Sequence, residues 1–190
     1  TKAYQLLTKY LTNKNLIKHS LACEAAMKAL YKHLTPQEKQ NDENENTWGI
    51  TGLLHDIDYE VAQKEHLLEK HGILLFERNE IELPDAITHA IKAHNFHETN
   101  VMPESNMDWA IVTADRLTGL IVAAALVTPE KKIAPLTTIS VMKRFKEKSF
   151  AKGANRESIK LCETKLDIPL ETFIGITLTA MQSISDELGL

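Results

Sequence analysis

No stretch of this chain alternates β-branched and polar residues between hairpin turns; apolar residues recur at helical spacing from end to end. That pattern predicts an all-α fold. Leu6, Leu7, Tyr10 and Leu11 mark a short first helix, and Asn13 to Leu34 a longer one that stops at Thr35-Pro36. Gln40 to Asn46 is nearly all Asn, Asp, Glu and Gln and reads as a solvated loop, with Thr47 as N-cap of a helix running through Trp48, Ile50, Leu53 and Leu54 to His55-Asp56. Further helices are expected from His71 to Ile81, from Pro84 to about Asn95, and from Asp108 to Val127, the last after a loop at Asn100 to Asn106. Pro129 and Pro135 bracket a turn, followed by helices at Leu136 to Lys148, Asn155 to Leu166 and Pro169 to Leu188, with Gly189 at the last cap.

There is no internal repeat and no low-complexity linker. One domain over residues 1–190 is expected, with a core over about 14–128 and the helices of about 135–190 packed on it. A formal net charge of -4 gives no basic field for a long nucleic acid, though a local patch would serve a nucleotide or small phosphoester. The longest apolar run, Leu120 to Val127, is too short to span a bilayer, and the polar N-terminus lacks a signal-peptide core. Cys23 and Cys162 stand in no metal-knuckle or redox spacing and read as core filler. All this suits a cytoplasmic protein.

Chemistry is hinted at by the histidines, five of whose eight lie between His66 and His97. His19 shares a helical face with Ala22, Cys23, Ala26 and Leu30, a buried stripe of mostly small side chains. A core histidine satisfied by a carbonyl is the plain alternative there. His55-Asp56 closes an apolar helix with two glycines, where adjacent ligands can converge as the helix unwinds. Asp115 is surrounded by Ile111, Val112, Ala114, Leu117 and Val122; a carboxylate so placed costs several kcal/mol unless paired or metal-bound. A salt bridge is the alternative, but Arg116, adjacent on the helix, is expected to point away. His94 looks inward with Ile87, Ala90 and Ile91, and His71 precedes Gly72 and an apolar segment. His89 and His97 fit a site less well, and His33 and His66 read as surface. Imidazoles with carboxylates suit manganese, iron, cobalt, nickel or zinc, and magnesium is a further candidate. His71 and His94 added to the other four make six ligands, enough for two ions sharing Asp56.

The order His19, His55-Asp56, Asp115 resembles the H…HD…D signature of HD-superfamily phosphohydrolases. Gly52-Leu-Leu-His-Asp-Ile-Asp-Tyr-Glu60, Lys70-His71-Gly72, Ile91-Lys-Ala-His-Asn95, Ala114-Asp-Arg-Leu-Thr-Gly119, Phe150-Ala-Lys-Gly-Ala-Asn-Arg156 and the closing helix with Ala180-Met181 resemble its predicted-hydrolase branch. The resemblance implies an HD-domain helical bundle with additional C-terminal helices. It also implies one or two divalent ions and hydrolysis of a phosphoester in a small molecule, such as a nucleotide. It carries His19, His55, Asp56 and Asp115 over as metal ligands, and His71 and His94 as those of a second ion. Many relatives read His-Asp-Ile-Gly-Lys where this chain reads His55-Asp56-Ile57-Asp58-Tyr59, so a lysine that could touch a phosphate is missing.

Catalysis would rest on Asp56, with Asp58 orienting a ligand histidine. Glu60 reads rather as a surface carboxylate. Developing phosphoryl charge would be met by Lys92 and Arg116, with Lys64 and Lys70 also near the motifs. The basic cluster Lys143, Arg144, Lys146, Lys148, Lys152 and Arg156 is either a solvated face or, with Gly153 allowing a turn, a clamp in which Lys152 and Arg156 bind the substrate phosphate. Two other functions remain open: a di-iron oxygenase-type enzyme on the same cage, and a non-catalytic nucleotide-binding signalling module. A costly buried carboxylate argues against the latter.

Overall fold

A computed structural model describes residues 1–190 and contains twelve α-helices and no strand. They are α1 (Lys2–Tyr10), α2 (Lys14–Leu34), α3 (Asp42–Leu54), α4 (Tyr59–Lys64), α5 (Leu74–Glu77), α6 (Asp85–His94), α7 (Phe96–Thr99), α8 (Asn106–Leu126), α9 (Thr138–Lys146), α10 (Arg156–Lys165), α11 (Leu170–Gln182) and α12 (Ser185–Leu188). The expected all-α class is what the chain forms.

Helix α8 is apolar almost all round, and such a helix must be covered on most sides. By length and composition it could cross a membrane, but 67% of its apolar window is buried against protein. It packs on α2, α3, α6, α9, α10 and α11. A capping box starts it: the Ser105 hydroxyl accepts from the Asp108 amide, and the Asp108 carboxylate accepts from the Ser105 amide. The larger apolar cluster runs from α2 through α8 to Val141, Ile159, Phe173 and Met181, so the helices after Pro129 share one core with the N-terminal ones. A smaller cluster joins Leu7 and Leu11 to Leu53, Leu54, Ile87 and Ile91.

The short helices α4 and α7 were not expected, and three expected elements form differently. Helix α3 begins at Asp42 with Asn41 as cap, so most of the polar run Gln40 to Asn46 is helical. Asp42, Glu43 and Glu45 occupy its first turn, where the helix dipole favours carboxylates, and Glu45 pairs with Lys32 of α2 at 2.8 Å. Between His71 and Ile81 only the short α5 forms. Gly72 sits at φ +95°, and the Gly72 and Leu74 amides donate to Asp58 rather than to helix carbonyls. The expected last helix divides into α11 and α12, because Ser183 turns its hydroxyl onto the Ala180 carbonyl and Ile184 leaves helical geometry.

Close packing of α2 on α3 positions the site. A Cβ at Gly52 would lie 2.5 Å from the Cys23 carbonyl oxygen, so only glycine lets the two backbones approach this far. The contact brings His19 on α2 opposite His55 at the end of α3.

Candidate metal centre

Six side chains from five parts of the chain converge: His19 from α2, His55 and Asp56 from the unwinding end of α3, His71 from the segment before α5, His94 from the end of α6, and Asp115 from the middle of α8. All but His19 are buried, and His19 is half-buried at the opening. Asp56 lies at the centre. Its Oδ1 is 2.9 Å from His71 Nε2, 3.3 Å from His55 Nε2 and 3.6 Å from His94 Nε2, while Oδ2 is 3.5 Å from His19 Nε2. Asp115 Oδ1 lies 3.1 Å from His19 Nε2 and 3.7 Å from His55 Nε2. The groups form two sets of mutually close donor atoms: His19, Cys23, His55 and Asp115, and Asp56, His71 and His94.

Every one of the four rings presents Nε2 to the centre and has a partner on Nδ1. His55 Nδ1 donates to the Gly52 carbonyl at 2.8 Å, and His94 Nδ1 to the Ile91 carbonyl. His71 Nδ1 donates to Asp58 at 2.9 Å. His19 Nδ1 donates to the Thr118 hydroxyl at 3.3 Å, whose own hydrogen goes to the Asp115 carbonyl. With Nδ1 carrying the hydrogen, each Nε2 lone pair points inward, as in metal-ligating histidines. His19 and His55 then bring Nε2 atoms within 3.2 Å of each other, and His71 and His94 within 3.1 Å. Facing lone pairs repel, so a proton or a cation must lie between them. The donor set fits one or two divalent ions.

Electrostatics agree. Burial works against charge on His55, but Asp56 and Asp115 outweigh it and push its pKa up to about 9. His71, buried between Asp56 and Asp58, is pushed up to about 10. Burial also works against the ionised carboxyls, yet the imidazoles around Asp56 and Asp115 hold both well below the usual carboxylate range. Burial pushes His94 down. The carboxylates thus favour positive charge at the centre, which protons on His55 and His71 or a cation would supply.

Residues 16–120 match the family model of the HD domain. The chain belongs to the HD domain family. No curated protein and no solved structure matches it. The match covers all six converging residues of the HD domain and ends before α9.

Among the other expected site residues, Asp58 stands behind His71. Its carboxylate accepts from His71 Nδ1 and from the amides of Gly72 and Leu74. Asp58→Asn is expected to lower affinity for the ion held by His71 and His94 by about 10–100-fold, leaving the Asp115 half filled. Equilibrium dialysis against manganese reads this, and an unchanged second binding constant would remove the role. Glu60 is not free at the surface: it accepts from the Thr12 and Asn13 amides and fastens the start of α2.

Arg116, expected to turn away from Asp115, folds back so that its Nε lies 3.4 Å from Asp115 Oδ2. Its long side chain overcomes the different Cβ direction. Lys92, expected as a catalytic cation, instead lies over the Phe76 ring at 5.3 Å and touches neither carboxylate of the centre. Position 92 is two residues from His94, so their side chains leave α6 on different faces. Lys70 pairs with Glu77 at 2.8 Å.

Arg156, expected to grip substrate phosphate, is used internally: its guanidinium donates to the carbonyls of Phe145, Glu147, Phe150, Ala151 and Ala154. All five guanidinium donors are thereby taken. Lys152 is exposed. His89 is likewise structural, pairing with the capping-box Asp108 at 3.0 Å.

One partner of the centre escaped the sequence reading, and Cys23, expected as core filler, stands among the donor atoms of the centre. Thr118 shares the Asp115 face one turn on, but its partnership with His19 spans the bundle. Cys23, one turn from His19, lies with its Sγ 3.9 Å from His19 Nε2 and 3.5 Å from the Thr118 hydroxyl.

Proposed function

We propose that this HD domain is a metal-dependent phosphohydrolase acting on a small phosphorylated molecule such as a nucleotide. The observation that carries the reading is the set of four inward Nε2 atoms around Asp56, each with Nδ1 fixed by its own acceptor. His19, His55, Asp56 and Asp115 would hold one ion, and His71 and His94 with Asp56 a second. A divalent ion there supplies Lewis acidity toward a phosphoryl oxygen and acidifies water.

The chain's own residues supply the rest. A cavity of about 290 Å³ opens at the centre between His19, Asp115, Arg116, Gly119, Ala151 and Gly153. Arg116 stands at this mouth with its side chain 40% exposed, placed to hold a phosphoryl oxygen and offset its charge. Asp58 keeps the proton of His71 on Nδ1, and Thr118 does so for His19. The small side chains of Gly119, Ala151 and Gly153 leave room for the ester's organic part. The net charge of -4 disfavours long nucleic acids as substrates, and two buried free cysteines fit a reducing compartment, the cytoplasm.

The test is metal content per chain in protein purified without chelator, followed by phosphate release from p-nitrophenyl phosphate. Between one and two ions per chain and metal-dependent release are expected. No metal after incubation with manganese, iron and zinc would overturn the reading in favour of a non-catalytic module. Iron with an air-dependent spectrum and no phosphate release would turn it toward oxygen chemistry.

A further inference from the structure

Residues 147–155 join α9 to α10 and have no regular structure, yet they are firmly held. Arg156, the half-buried first residue of α10, sends its guanidinium back to the carbonyls of Glu147, Phe150, Ala151 and Ala154 in this segment and of Phe145 in α9, so the loop is wound around a cationic fork. Ala151 is held at φ +43° within it. Its Ala151, Gly153 and Ala154 wall the mouth of the metal centre.

Gly153 and Ala154 also wall a second, larger cavity of about 790 Å³, so the two spaces adjoin. That volume lies in the range of small-molecule sites. Lys146, Lys148, Lys152 and Lys160 line it, with Glu157 as the one carboxylate. Lys160 pairs with Glu157 at 3.4 Å, whereas Lys146, Lys148 and Lys152 have no carboxylate within ion-pair reach. This local excess of positive charge runs against a chain of net charge -4. The first turn of α10, at the positive end of its dipole, faces the same cavity through Asn155 and Glu157. Unpaired ammonium groups around one concavity raise the local concentration of multivalent anions, and lysines, as mobile point charges, suit a chain of phosphates better than a single planar group.

We propose that this cavity is an anion subsite adjoining the metal centre, and that the substrate carries at least two phosphoryl groups: one at the centre, the remainder of a polyphosphate chain among Lys146, Lys148 and Lys152. The substrate part of this proposal rests on the phosphohydrolase reading; the anion subsite does not.

The probe is inorganic tripolyphosphate, titrated calorimetrically into the full chain and into the triple variant Lys146→Gln/Lys148→Gln/Lys152→Gln. These side chains are exposed, so helicity by circular dichroism and metal content should be unchanged. The wild type should bind saturably and more weakly as salt rises, and the variant should bind at least about tenfold more weakly. Equal affinity in both proteins would assign the anion to the metal centre and overturn the subsite; so would absence of binding by the wild type. If binding is lost in the variant but no phosphoester is hydrolysed by the wild type, the subsite stands and the hydrolase reading falls.

Discussion

Replacing Asp56 by alanine is expected to empty both halves of the centre at once. No other carboxylate reaches both sets of imidazoles: Asp56 Oδ1 stands near His55, His71 and His94, and Oδ2 near His19. Asp115, by contrast, touches only His19 and His55. Metal content should fall to near zero in Asp56→Ala, and any metal-dependent phosphate release by on the order of 10³-fold. Asp115→Ala should keep the ion held by Asp56, His71 and His94.

Heat denaturation gives an independent readout, because an ion that binds only the folded chain raises its melting temperature by mass action. Added manganese should raise Tm in the wild type, raise it less in Asp115→Ala, and leave it unmoved in Asp56→Ala. Wild-type metal content in Asp56→Ala would remove Asp56 from the centre.

Gly52→Ala should cost stability and metal together, although alanine is the better helix former. The gain from propensity is about 1 kcal/mol. Against it stands a methyl group built 2.5 Å from the Cys23 oxygen and 2.6 Å from its carbonyl carbon. Both atoms belong to a helix backbone, which cannot rotate aside as a side chain would. Helices α2 and α3 must separate, and a net loss of about 1–3 kcal/mol is expected. The separation pulls His19 from His55, whose Nε2 atoms now lie 3.2 Å apart.

Gly119→Ala in α8 is the control. Nothing lies within 4 Å of its added Cβ, so that variant should be neutral or more stable by up to about 1 kcal/mol. Chemical denaturation of both variants measures this. A Gly52→Ala protein as stable as wild type would show that the helices can shift without penalty.

The six converging residues were legible in the sequence to different degrees. Asp115 declares itself because a carboxylate inside an apolar helix needs a partner wherever that helix packs. His19 follows from its place on a stripe of small residues, and His55-Asp56 from closing an apolar turn. His71 and His94 gave a weaker signal, to which the resemblance added, since a histidine before a glycine or on an inward helix face has several ordinary explanations.

The direction of long cationic side chains was less legible. Lys92, Arg116 and Arg156 all stand in or near motifs, yet one covers a phenylalanine ring, one reaches the centre and one ties a loop. Sequence spacing sets where a Cβ points, but four or five rotatable bonds beyond it leave the charged end free to choose among neighbours.

By itself the sequence determined that the chain is helical, where α2, α6, α8, α9 and α10 begin and end to within two residues, and which buried polar residues need partners. These properties follow from local periodicity, capping and the cost of burying charge, all of which act within a few residues. Only the tertiary structure decided which partners those residues meet. Thr118 fixes the ring of His19 across 99 positions, Asp58 orders the segment that carries His71, and the Arg156 loop walls both a small mouth and the large basic cavity beside it. These pairings depend on distances between helices, and here that distance is set by the close approach of two backbones at Gly52.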